Sequence, residues 1–156
     1  SVLIDLQQLC IKKGASVAVA ESCTAGLIAS KLTSLSGSSA YFKGGVVAYQ
    51  NEIKIKILEV SQSIIDNKTE VSAEVVEQMA KSVLKNFSTD FALATSGYAG
   101  PNGGTSNNPI GTVFIAIASV VGVVVSRFVF SGNRQSVVNQ ASESALDLLY
   151  AELKKQ

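Results

Sequence analysis

The stretch VAVAESCTAG, Val17 to Gly26, decides how the rest of the chain is read. It begins as a short apolar run typical of a buried strand and ends where a helical pattern starts. Between the two lie a carboxylate, a hydroxyl, a thiol and a second hydroxyl. Ser22 therefore has two readings. It is a helix N-cap, because Ser and Thr are ordinary capping residues, or a nucleophile presented beside the free N–H groups of a helix start. The capping-box position three residues on is Ala25, not Glu or Gln, which weakens the first reading. Cys23 is a rival nucleophile or a small buried thiol.

Outward from this turn the patterns alternate between strand and helix. Residues 2–13 carry apolar side chains at helical spacing and end at Gly14. Residues 24–35 read as a helix that follows the strand almost without a loop, closed by a turn at SGSSA. YFKGGVVAYQ (41–50) reads as a strand whose glycine pair suggests a bulge, and NEIKIKILEV (51–60) as a helix with Asn51 as its N-cap. Ser72 precedes a helix over 73–87 with a broad apolar stripe. DFALATSG (90–97) is a buried strand, YAGPNGGTSNNP (98–109) a loop, and a hairpin around Gly122 precedes a last helix over 131–155. Helices between the early strands argue for one domain over residues 1–156, a three-layer α/β/α sandwich with a mixed β-sheet.

Composition narrows the function. The net charge is +1 and only 16% of residues are charged, against about 25% in ordinary domains. No basic field is available for a nucleic-acid backbone or an anionic membrane surface. Residues 91–126 contain no charged side chain, but their glycines, prolines and β-branched residues fit a loop and two buried strands better than a membrane span. Two cysteines make no disulfide framework, and no secretory leader is visible, so a cytoplasmic location is expected. The 47% apolar content suggests a face covered by a second copy in a homo-oligomer.

There is no histidine. That excludes Ser-His-Asp and Cys-His catalysis within the chain and leaves lysine, neutral once buried, as the base for an activated hydroxyl. Ser82 and Lys85 have S-x-x-K spacing, but both fall on the polar side of their helix. Lys54 alternates with Ile53, Ile55 and Leu58, a setting that either desolvates its amine or leaves it on an amphipathic surface. The glycine-rich run 95–112 is either a structural loop or a phosphate cradle, and lacks the spacing of a P-loop or dinucleotide fingerprint. Arg134, at the start of the last helix, is a surface arginine or a phosphate contact.

Together, AESCTAG (20–26), GSSAYFKGGVVAYQNEIK (37–54), Val71-Ser72, SGYAGPNGGT (96–105), PIGTVFIAI (109–117) and FSGNR (130–134) resemble the CinA C-terminal domain family. Standalone members of that family include nicotinamide-nucleotide amidases. The resemblance implies deamidation of nicotinamide mononucleotide (NMN), with Ser22 as nucleophile and Lys54 as base, Tyr49 as relay or orienting partner, and no metal or cofactor. Thr24 and Asn51 would tune the network. N–H groups near Cys23 or Gly45 would hold the oxyanion, and Gly100, Gly103, Gly104, Thr105 and Arg134 would contact ribose and phosphate. The chain departs from the family pattern at Ala25, Tyr98 and Asn133; the last would leave Arg134 freer for phosphate. A non-catalytic nucleotide- or partner-binding module, or an amidase for another small amide, remains the alternative.

Overall fold

Alternation of large and small side chains sets the layers. The computed structural model describes residues 1–156. In β1 (Val17–Glu21) the valines face one side of the sheet and Ala18 and Ala20 the other; in β3 (Phe91–Gly97) Phe91 and Leu93 oppose Ala92 and Ala94. In β4 (Thr112–Ser119), Val113, Ile115 and Ile117 share the first face, and Ala116 and Ala118 the second. The large-residue face packs against α1 (Leu3–Lys13), α2 (Leu27–Leu32) and α6 (Arg134–Lys155). The alanine face lets α5 (Ala73–Phe87) lie close, with Val75, Val76, Met79, Ala80 and Val83 buried against it, beside α4 (Gln62–Lys68).

With β2 (Phe42–Val47) and β5 (Gly122–Val129), the sheet runs β2-β1-β3-β4-β5. The first three strands are parallel, and β4 and β5 continue antiparallel, so the architecture is the expected α/β/α sandwich on a mixed sheet. The chain leaves β1 to reach β2 by way of α2, then returns through α3 (Asn51–Lys56), α4 and α5 to β3 on the other side of β1. Reversal of winding at β1 opens a crevice at the carboxyl ends of the parallel strands, where α/β proteins place their sites.

Several expectations need correction. Residues 22–26 form a turn, and α2 starts at Leu27; its N-cap position is Gly26, with no side-chain cap. Ser22 is therefore not a helix cap. The Glu21 carboxylate does that work instead, accepting from Ile28 N and Ala29 N, both at 2.9 Å. Asn51 is the first residue of α3, whose N-cap position is Gln50. α4 was not anticipated. β5 is a half-exposed edge strand rather than a buried one, because nothing covers its outer side. The bulge in β2 is present: the register moves from Val17↔Phe42 to Ala18↔Gly44. The uncharged stretch forms β3, a loop, β4 and the start of β5, and no helix is long and apolar enough to cross a membrane.

Candidate active site

A cavity of about 370 Å³ lies at that crevice, walled by the ends of β1 and β3, the start of α3, the 69–72 turn and Arg134 of α6. Ser22, Cys23, Tyr49, Asn51, Lys54, Gly100 and Arg134 all line it. The structure thus gathers residues from turns and helix starts more than a hundred positions apart in sequence.

Ser22 is the first residue beyond β1, and its N–H donates to Thr95 O of β3 at 3.1 Å, extending the strand pairing by one residue. It is 6% exposed, and its Oγ has no hydrogen-bond partner. The backbone N–H groups of Cys23 and Thr24 donate to no other residue. The turn bends sharply to leave them so: Ala25 has φ 48 and Gly26 φ 94, left-handed values that an alanine adopts at a cost. Glu21, fully buried, fastens the turn from behind. Besides the two α2 N–H groups, it accepts from Thr24 Oγ1 at 2.6 Å, and Thr24 Oγ1 also meets Thr95 Oγ1 at 2.9 Å. The Cys23 thiol is pushed up to about 12 by burial, against the opposing pull of its own backbone N–H and of Lys54. It is a neutral neighbour, not an activated thiolate.

Lys54 is 1% exposed, although it sits in a six-residue helix at the molecule's rim. Flanking Ile53 and Ile55 pack on the core, and this turns the lysine inward. Its Nζ donates to the Tyr49 carbonyl at 3.0 Å and makes no other hydrogen bond. Burial pulls its pKa below the ordinary 10.5, while Glu70 and Cys23 act the other way. Lys54 and Ser22 open into one cavity without being hydrogen-bonded to each other.

Arg134 donates to Gly100 O and to Tyr49 Oη, each at 2.6 Å. The Tyr49 hydroxyl is thus tied to the arginine, not to the serine or the lysine, and it is the Tyr49 carbonyl that holds Lys54. Asn133, at the N-cap of α6, accepts from Ser136 N at 2.9 Å. Its amide serves the helix end, and Arg134 is already engaged with Tyr49 and Gly100.

Other expected site residues lie elsewhere. Gly45 is in mid-strand, where a Cβ would overlap Val19, so its role is close pairing of β2 with β1. Gly103 packs under the Tyr98 ring and Gly104 against Ile110. Thr105 closes its own turn, accepting from Asn108 N at 3.0 Å. Of the glycine loop, Tyr98, Ala99, Gly100 and Asn102 reach the cavity. Thr24 Oγ1 is turned into the Glu21 network, while its residue borders a neighbouring hollow between α2 and α6. Ser82 and Lys85 remain on the outer side of α5. Sequence reasoning missed Glu21, whose position before Ser22 was its only signal, and Glu70, which had none.

Residues 2–153 match the CinA C-terminal domain. A CinA-like protein of Flavobacterium psychrophilum is 47% identical over 152 residues, 97% of this chain and 36% of that protein. A CinA-like protein of Shewanella pealeana is 44% identical, over 98% of this chain and 36% of that protein. The chain spans about a third of the length of the curated relatives it matches. Among solved structures, competence damage-inducible protein A (ComA) from Klebsiella pneumoniae superimposes with a TM-score of 0.95 at 32% identity, covering 98% of this chain and 95% of that one. The competence/damage inducible protein CihA from Agrobacterium tumefaciens gives 0.91 at 33%, covering 99% and 96%. The chain belongs to the CinA C-terminal domain family.

Proposed function

From this membership and the cavity's chemistry, we propose that the protein is an amidohydrolase that converts NMN to nicotinate mononucleotide and ammonia through a Ser22–Lys54 dyad. The observation that carries the reading is a buried lysine with a depressed pKa opening into the same cavity as a serine hydroxyl without a partner, in a chain that lacks histidine.

In this scheme neutral Lys54 leaves the Tyr49 carbonyl and takes the Ser22 proton, directly or through one water. Ser22 Oγ bonds to the carboxamide carbon, and the resulting oxyanion accepts from the free N–H groups of Cys23 and Thr24. The Lys54 ammonium then returns its proton to the amide nitrogen. The C–N bond breaks, ammonia leaves and an ester on Ser22 remains. Lys54, neutral again, deprotonates water. Water attacks the ester carbon, the bond to Ser22 Oγ breaks as the Lys54 ammonium returns its proton to that oxygen, and the product acid departs and ionises to its carboxylate in solvent. Nucleophile and base are both side chains, and the scheme calls for no metal or cofactor. Arg134 spends two of its five N–H donors on Gly100 and Tyr49, which leaves three for a substrate phosphate.

Ammonia release from NMN, compared among native protein, Ser22→Ala and Lys54→Ala, tests the proposal. Native release with loss in both variants is expected, and absence of native release would refute it. Nucleotide binding without turnover would instead mark a non-catalytic module.

A further inference from the structure

The turn between α4 and α5 is fastened by its backbone. Ser96 Oγ donates to the Glu70 carbonyl at 2.6 Å, Asn108 Nδ2 to the Val71 carbonyl at 3.3 Å, and Ser72 Oγ to the Thr69 carbonyl at 3.0 Å. Ser72 in turn caps α5, accepting from Val75 N. Held in this way, the main chain fixes where the Glu70 side chain begins.

Unlike its backbone, the Glu70 carboxylate is unengaged. It joins none of the molecule's ion pairs, even though Lys68, two residues away, pairs with Glu74. The only hydrogen bond at Glu70 is the one its carbonyl accepts. Yet the residue is half-buried in the wall of the cavity that holds Ser22 and Lys54. A carboxylate without a partner in a cavity wall is a ready contact for a positively charged group brought in by a ligand.

The other ionisable groups in that wall are few. Lys54 comes from α3, Arg134 from α6, Cys23 from the nucleophile turn, and Tyr49 and Tyr98 from loops. The guanidinium of Arg134 bonds Gly100 and Tyr49 and forms no ion pair with Glu70, and the Cys23 thiol is neutral. Lys54 lies near enough to feel the Glu70 charge, which favours its protonated form. Once Lys54 is neutral, as a base must be, Glu70 has lost its nearest cation.

We propose that Glu70 is a specificity-determining residue whose carboxylate selects substrates in which the reacting carboxamide is carried on a cationic ring. This rests on the amidase reading. A carboxamide within reach of Ser22 and Lys54 brings its attached ring into the part of the cavity that Glu70 serves. A pyridinium there supplies the charge that neutral Lys54 no longer does. A neutral ring covers the carboxylate and takes its water without supplying a charge, which is discrimination by an unpaired group against the wrong ligand.

The test uses two ligands of one shape: NMN, and its neutral counterpart in which a benzamide ring carries the same ribose phosphate. Binding of each is measured by calorimetry to Ser22→Ala and to Ser22→Ala with Glu70→Gln, so that turnover does not interfere. Loss of Glu70 is expected to weaken NMN about tenfold, the scale of one partly screened charge contact, and to leave the benzamide ligand unchanged. Equal weakening of both, or of neither, overturns the proposal. Folding is not at issue, since the Glu70 side chain makes no bond the fold depends on. Ammonia release by the Glu70→Gln single variant keeps the two claims apart. Turnover with unchanged charge preference defeats the role of Glu70 alone, whereas absence of release by the native protein defeats the amidase reading itself.

Discussion

The two sides of the cavity are built differently. On the serine side, Glu21 accepts three hydrogen bonds, Thr24 and Thr95 share a fourth, and Ser22 N is paired with β3. On the lysine side, one hydrogen bond to the Tyr49 carbonyl holds Lys54, and the Tyr49 ring is half-exposed and steadied by Arg134. A network fixes Ser22, the proposed nucleophile, while Lys54, the proposed base, has a single tether. This suits a reaction in which the serine must be aimed and the lysine must move between a resting acceptor and the Ser22 proton.

The sharpest way to break the comparison is on the lysine side. Lys54→Met is expected to lower ammonia release by at least about a thousandfold, as removal of an essential base and acid does. It should also raise stability by about 1–2 kcal/mol, because a buried amine with one hydrogen bond gives way to an apolar chain of similar length. The sign with pH follows from the depressed pKa. Between that value and the ordinary 10.5, the unfolded chain binds the proton and the folded one does not. Native stability therefore rises with pH through this window, and the deficit is full below it. The gain from Lys54→Met, read from denaturant titrations, should be largest at low pH and shrink towards alkaline pH.

On the serine side the effects should be structural first. Glu21→Ala strands the N–H groups of Ile28 and Ala29 and leaves the Thr24 hydroxyl with Thr95 alone, an expected loss of about 3 kcal/mol in denaturant unfolding. Turnover should fall through kcat more than KM, since the turn loses its aim. A loss under about 1 kcal/mol would show that the turn holds its own shape. The smallest effect is expected at Ala25, whose φ of 48 suits glycine. Ala25→Gly should raise the unfolding free energy by up to about 1 kcal/mol with turnover little changed.

How much of this was legible in the sequence follows the same division. Layering could be read because alternation of valine and leucine with alanine in β1, β3 and β4 is a local pattern, and Gly14 and Ser72 mark the helix ends where they fall. The start of α2 could not. Its cap is the Glu21 side chain, which reaches seven and eight residues forward, where capping rules look for a residue adjoining the helix. Burial of Lys54 was visible only as an alternation open to two readings. Tertiary packing of Ile53 and Ile55 decided between them. The glycine loop misled because glycines needed for packing under Tyr98 and against Ile110 look, in one dimension, like glycines that cradle an anion. Glu70 was silent because its place depends on Ser96, 26 residues away.

The central claim is that Ser22, not Cys23, takes the acyl group. Acid quenching during turnover of NMN, followed by peptide mass analysis, tests this most directly. The account predicts a mass increment equal to the nicotinate mononucleotide acyl group on the peptide spanning Val17–Gly26, assigned by fragmentation to Ser22 and absent from Ser22→Ala. Ammonia release accompanied by an adduct on Cys23, or persisting in Ser22→Ala, would contradict it.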